Sequence, residues 1–126
     1  MHCPFTRLAQ SPEGCSSLNF PETMGISKSS EMLLLNATMN ADEALTAGII
    51  SRIFPQENFE KVTSELLKEY SELPKECLRL GKGLIRSDEK MARLKKVALE
   101  ETRILEGRWT SDECSDAIQS FFSSRN

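Results

Sequence analysis

From Phe59 onward, the apolar residues of this chain recur at intervals of three and four, the signature of one-faced helices. Phe59, Val62, Leu66, Tyr70 and Leu73 mark one such face. After Pro74, the residues Cys77, Leu80, Leu84 and Ile85 repeat the spacing. Ser87-Asp88-Glu89-Lys90 opens a longer helix expected to reach about Glu106, with Met91, Leu94, Ala98 and Leu105 inward and Gly107 as its stop. Ser111-Asp112-Glu113-Cys114 starts the last one, with Cys114, Ala117 (or Ile118) and Phe121 (or Phe122) on its apolar face. More than half of the chain is thereby committed to amphipathic helices, each of which needs something to cover its stripe.

The front part is less regular. Ser11 fits a helix N-cap and Pro12 the first helical position, which puts Glu13 in a first turn. Pro21 and Gly25 are expected to end that helix. Ser27 to Leu35 reads as a second helix, followed by Asn36 at a left-handed position. Asn40-Ala41-Asp42-Glu43 has the pattern of a capping box, and the helix it opens stops at Gly48. Met1 to Leu8 and the β-branched stretch Ile49 to Phe54, closed by Pro55, read as short strands. The fold class is therefore mainly α with one or two short strands. There is no internal repeat and no low-complexity linker. A few helices and two stray strands close no familiar small fold, so the chain reads as part of something larger or as a domain that needs a partner.

The length, 126 residues, is one domain's worth, and size scaling predicts burial of about two-thirds of the unfolded surface. With 16 basic and 19 acidic residues and a net charge of −3, there is no broad basic face, so neither nucleic acid nor a membrane is an expected partner. No apolar run approaches the roughly 18–20 residues that span a bilayer. The single histidine, His2, places any Ser-His-Asp or Cys-His arrangement on an end that frays, and one chain lacks a two-histidine zinc site. Cys3, Cys15, Cys77 and Cys114 form no Cys-x-x-Cys unit, which points to reduced, partly buried thiols and to no metal. The first residues resemble neither a secretory nor a transit peptide, and Ser124-Arg125-Asn126 is not the Ser-Lys-Leu peroxisomal address.

Two segments carry a specific resemblance. Glu31-Met32-Leu33-Leu34-Leu35-Asn36-Ala37-Thr38-Met39-Asn40-Ala41-Asp42-Glu43-Ala44, continuing through Gly48-Ile49-Ile50-Ser51-Arg52-Ile53-Phe54-Pro55, resembles the crotonase (enoyl-CoA hydratase/isomerase) superfamily. It departs from that pattern at Asn36, where glycine is usual, and Asn is the next best residue for the backbone shape. Ser11-Pro12-Glu13-Gly14-Cys15-Ser16-Ser17, with Gly107-Arg108-Trp109-Thr110-Ser111-Asp112-Glu113-Cys114, resembles the peroxisomal-type Δ3,Δ2-enoyl-CoA isomerase branch. The resemblance implies a spiral of ββα turns followed by a helical region that assembles trimers. Of this, the chain looks like the last half, with 1–55 the end of the spiral core and 56–126 the helical assembly region.

The resemblance further implies a double-bond shift on an acyl-CoA in fatty-acid β-oxidation, with Glu13 carrying the proton and no cofactor. By local pattern alone, Glu13 is a helix-start carboxylate. The two N–H donors that stabilise the enolate oxygen come, in the family, from loops upstream of the matching segment, so the 126-residue chain alone is expected to be inactive. Phe121 and Arg125 match the helix that approaches the substrate in the family; their plain reading is a core residue and a solvated one. Lys95-Lys96 read as a solvated face, and Trp109 as a packing anchor. The resemblance implies a homo-oligomer in the peroxisome or mitochondrion. The alternative is a non-catalytic assembly or interaction module. Such a module would resemble chromodomain-Y-like proteins, which use a crotonase-like domain for binding, but that resemblance implies Asp where this chain has Glu13.

Overall fold

Seven α-helices and two 3-10 turns account for most of residues 1–123, which the computed structural model describes. In order they are a turn at Thr6–Leu8, α1 (Ser16–Met24), α2 (Ile26–Leu34), α3 (Ala41–Thr46), a turn at Gln56–Asn58, α4 (Phe59–Ser71), α5 (Lys75–Ile85), α6 (Asp88–Trp109) and α7 (Asp112–Ser123). The mainly α reading holds.

Local signals set several of the ends. Asn40 accepts from the Glu43 N–H at 2.9 Å while the Glu43 carboxylate accepts from the Asn40 N–H at 2.9 Å, completing the capping box of α3. Ser87 caps α6 by accepting from the Lys90 N–H at 3.3 Å. Asn36 is left-handed, with φ 56°, as its place after α2 predicts. Gly25 alone joins α1 to α2, at φ 79° and ψ 161°, a backbone shape essentially restricted to glycine. Pro21 lies inside α1 and does not end it; its fixed φ is helical, and the packing of α1 on α2 outweighs the lost hydrogen bond and the ring's clash with the preceding turn, together about 3 kcal/mol.

Elsewhere the structure departs from the sequence pattern. Met1 to Leu8 is no strand: it holds the Thr6–Leu8 turn and a single antiparallel bridge from His2 to Thr38. Ile49 to Phe54 is not a strand either. A strand needs a ladder partner, and here the N–H groups of Ile49 and Ile50 turn back to the Ala44 carbonyl at 3.0 and 3.4 Å. Gly107 does not stop α6, which runs on to Trp109. One helical glycine costs only about 1 kcal/mol, and Arg108 anchors this last turn by donating to the Ala9 carbonyl at 2.9 Å. The first helix begins at Ser16, not near Pro12, because Gly14 (φ 65°) and Cys15 (φ 61°) are both left-handed and interrupt any helix through them.

The core sits at the front. α1 packs on α2, and Met32, Met39 and Ala44 form a buried cluster closed by Cys3, Phe20, Met24, Ala47, Ile49 and Ile50. Helix α6 lies against α1 and α7, burying Leu105 and Cys114, with an Arg93–Glu22 ion pair at 2.6 Å across the α6–α1 contact. Helices α4 and α5 bury no residue, and Phe59, Tyr70, Leu73 and Met91, placed inward by their spacing, are exposed. The chain exposes 9541 Å². A folded monomer of this mass exposes about 6,800 Å² of roughly 20,600 Å² unfolded. Just over half of the unfolded surface is therefore buried, not two-thirds.

Candidate active site

Glu13 lies in the loop from Ala9 to Cys15, between the Thr6–Leu8 turn and α1. The loop is bent by left-handed residues at Ala9 (φ 52°), Gly14 and Cys15. For Ala9 and Cys15 this shape costs about 1–2 kcal/mol each. The hydroxyls of Ser11 and Ser16 are also buried without a hydrogen-bond partner among the described residues. Such a conformation persists only when its surroundings hold it.

One face of α6 does so. Glu101 is buried, with 6% of its surface exposed. Its Oε2 accepts from the Cys15 N–H at 2.6 Å. Its Oε1 accepts from the Ser17 N–H at 3.0 Å and from the Ser17 hydroxyl at 2.5 Å. These bonds satisfy two of the open N–H groups at the start of α1, where a carboxylate is favoured by the helix dipole. Three hydrogen bonds to a charged acceptor, each worth roughly 1.5–3 kcal/mol, offset the desolvation of the buried carboxylate. Seven residues, two turns, to either side, the Leu94 carbonyl accepts from the Cys15 thiol at 3.3 Å and the Arg108 Nε–H donates to the Ala9 carbonyl at 2.9 Å. Arg108 is itself held by Glu113, the second residue of α7.

The Glu13 carboxylate is exposed and has no hydrogen-bond or ion-pair partner among the described residues, while its backbone carbonyl accepts from the Ser16 N–H at 3.1 Å. The backbone of this residue is thus held from both sides while its carboxylate is open to solvent. Under the same loop, Ser11, Pro12 and Ser17 join Val97, Glu101 and Ile104 of α6 around a hollow of about 150 Å³.

Glu101 and Arg108 escaped the sequence reading, although a signal was present. Met91, Leu94 and Ala98 step by three and four, and continuing that stepping to Leu105 puts Glu101 and then Arg108 on the same stripe. A charged residue at an apolar register position marks a buried polar contact.

The other expected residues lie elsewhere. Phe121 is half-buried on α7, which packs against the Thr6–Leu8 turn; the Arg7 guanidinium sits 5.7 Å from its ring centre, and Phe122 stacks edge-on at 5.8 Å. Arg125 lies outside the described residues. Lys95 and Lys96 are exposed. Trp109 is 55% exposed at the end of α6, so it does not anchor packing. Cys77 is exposed rather than partly buried. Among the described residues, no group of three or more His, Cys, Asp or Glu side chains is placed to hold a metal ion.

The segment that carries this geometry is matched over its whole length, residues 1–126, by the enoyl-CoA hydratase/isomerase family. The chain belongs to that family. It is 42% identical to human enoyl-CoA delta isomerase 2 over 125 residues, covering 99% of this chain and 32% of that protein. It is 38% identical to the mouse protein named enoyl-CoA delta isomerase 3, peroxisomal, covering 95% of this chain and 38% of that one. It thus spans about a third of the length of these relatives and matches their C-terminal part. The fold agrees: the crystal structure of an enoyl-CoA hydratase/isomerase from Pseudoalteromonas atlantica superposes with a TM-score of 0.89 at 26% identity, over 98% of this chain and 49% of that one. The helices described above are the C-terminal helical part of a crotonase-like fold.

Proposed function

We propose that this chain is the base-bearing part of a Δ3,Δ2-enoyl-CoA isomerase of fatty-acid β-oxidation, with Glu13 as the proton shuttle. The supporting observation is the exposed Glu13 carboxylate, without a partner among the described residues, in a loop clamped at both ends by α6, in a chain 42% identical to human enoyl-CoA delta isomerase 2. In this reading the carboxylate removes a C2 proton of a 3-enoyl-CoA. The electron pair shifts toward the thioester oxygen, giving an enolate, and the same carboxyl returns the proton to C4 as the double bond settles between C2 and C3. Shuttling by a placed acid–base group contributes roughly 10²–10⁴-fold.

The enolate also needs two donors. The loss of one such donor costs about 2.7–4 kcal/mol, and the upstream loops that supply both in the family have no match in this chain. The isolated chain is therefore inactive in this reading, and it works only when the preceding part of the fold is supplied. The active species is a homo-oligomer, located in the peroxisome or mitochondrion. Phe121 and Arg125 are proposed to approach the acyl-CoA.

The test joins this chain to the preceding part of human enoyl-CoA delta isomerase 2, in place of that enzyme's matching C-terminal segment. The fusion should isomerise a 3-enoyl-CoA, and Glu13→Gln should lower kcat/KM by roughly 10²–10⁴-fold. A Glu13→Gln fusion as active as its parent sinks the proposal. The uncovered faces of α4 and α5 favour a second reading, a non-catalytic assembly module. A well-folded fusion without activity supports that reading.

A further inference from the structure

We infer that Glu101 is the positioning residue for Glu13: it sets the backbone that carries the shuttle through the N-terminus of α1. This inference rests on the role proposed for Glu13 above.

The argument begins with the spacing on α6. Leu94, Glu101 and Arg108 follow one another at intervals of seven residues, so they lie along one stripe, two turns apart. That stripe meets the loop at three points. Arg108 takes the carbonyl of Ala9, Leu94 takes the thiol of Cys15, and Glu101 takes Cys15 and Ser17 together. A rigid helix thereby fixes both ends of the Glu13 loop against one edge.

Of the three contacts, Glu101 is the one that determines the exit from the loop. It accepts from the N–H groups on either side of Ser16 and from the Ser17 hydroxyl, so Cys15 cannot leave its left-handed conformation without breaking the bond at 2.6 Å. Glu13 is two residues before Cys15, and its carbonyl is hydrogen-bonded to Ser16 inside the same turn. A change in the Cys15 backbone therefore swings the Glu13 side chain. Glu101 is buried and both of its carboxylate oxygens are taken up by Cys15 and Ser17, so it acts through Glu13 and not on a substrate.

Replacement of Glu101 by Ala leaves a carboxylate-sized space into which two N–H groups and one hydroxyl still point, at a helix N-terminus that favours an anion. That feature gives a rescue experiment in the 126-residue chain. The amide signals of Cys15 and Ser17 and the side-chain carboxyl signal of Glu13 are followed by NMR in wild type and Glu101→Ala, with added acetate and with chloride at the same ionic strength. All three signals should move in the variant. Acetate should return them toward their wild-type positions, and chloride should not. In the fusion enzyme described above, Glu101→Ala should lower kcat by tenfold or more with KM little changed, and acetate should restore part of the loss.

The inference is overturned if the Cys15 and Ser17 signals move while Glu13 stays in place, since Glu101 would then be only a helix cap. It is equally overturned if acetate restores the amides but not Glu13. Where the alanine variant does not fold, the isosteric Glu101→Gln decides: it keeps the acceptor facing Ser17, turns a donor toward the Cys15 N–H, and should displace Glu13. The two proposals fail separately. A fully active Glu13→Gln fusion removes the shuttle and leaves the NMR result standing. An unmoved Glu13 signal removes the positioning role while Glu13→Gln remains inactive.

Discussion

Two glutamates of nearly the same composition-level appearance behave oppositely in this chain. Glu13 is exposed and has no partner among the described residues, and Glu101 is buried under three donors. Their substitutions should separate in stability as well as in activity. Glu101→Ala orphans two N–H groups and should destabilise the chain by roughly 3 kcal/mol, whereas Glu13→Gln should change stability by less than about 0.5 kcal/mol; chemical denaturation of both variants measures the difference. The thiols should separate in the same way. Cys77 is exposed, Cys15 is half-buried with its thiol on the Leu94 carbonyl, and Cys114 is 1% exposed. Burial pushes the Cys3 thiol pKa above its ordinary value, so less of it is thiolate at any given pH below that value. Iodoacetamide at mildly alkaline pH should label Cys77 first, Cys3 more slowly, and Cys114 only in denaturant, as read by peptide mass spectrometry. Labelling of Cys114 in the native chain as fast as Cys77 would contradict the packing of α7 on α6.

At the scale of elements, what could be read in advance was what is local. The capping box spans four residues and both of its bonds are present, so Asn40→Ala should lower stability by about 1 kcal/mol, measured as a drop in Tm. The helical periods of α4 to α7 were equally legible, as was the left-handed Asn36. Ile49 to Phe54 is rich in strand-forming residues, but these do not specify a strand without a neighbour, and Ile49 and Ile50 pack on the front core instead. The start of α1 carries no local signal because Cys15, its N-cap residue, makes no side-chain capping hydrogen bond to the helix. Its cap comes from Glu101, 86 residues away, which no local pattern could reveal. Glu13 was singled out by resemblance and expected in a first helical turn, whereas it lies in the loop before α1; the clamp that holds this loop was visible only as charged residues on the apolar stripe of α6. Periodicity also did not tell that the α4 stripe lies open, since spacing states which residues share a face and not what covers it.

The whole molecule has too much surface for its mass. Its 9541 Å² exceeds by about 2,700 Å² the roughly 6,800 Å² of a folded monomer of this size. A standard interface buries about 800 Å² on each partner, so the excess is more than one such interface. Helices α4 and α5 present several exposed large apolar side chains, among them Leu67, Leu84 and Ile85 at 66%, 84% and 71% exposed. An apolar surface of this extent is stable in water only when something covers it. The isolated chain should therefore associate as its concentration rises, in sedimentation equilibrium, and should bind a hydrophobic dye under native conditions. Its unfolding should be weakly cooperative, with the amides of α4 and α5 exchanging with solvent before those of α1 and α2. Leu84→Lys with Ile85→Lys removes two of the most exposed side chains without touching the buried cluster of Met32, Met39 and Ala44. This double variant should associate less and bind less dye while Tm changes little. A wild-type chain that stays monomeric at all concentrations, excludes the dye and unfolds in one sharp transition would contradict the open faces of α4 and α5, because about 2,700 Å² of excess surface cannot persist unnoticed in a two-state monomer.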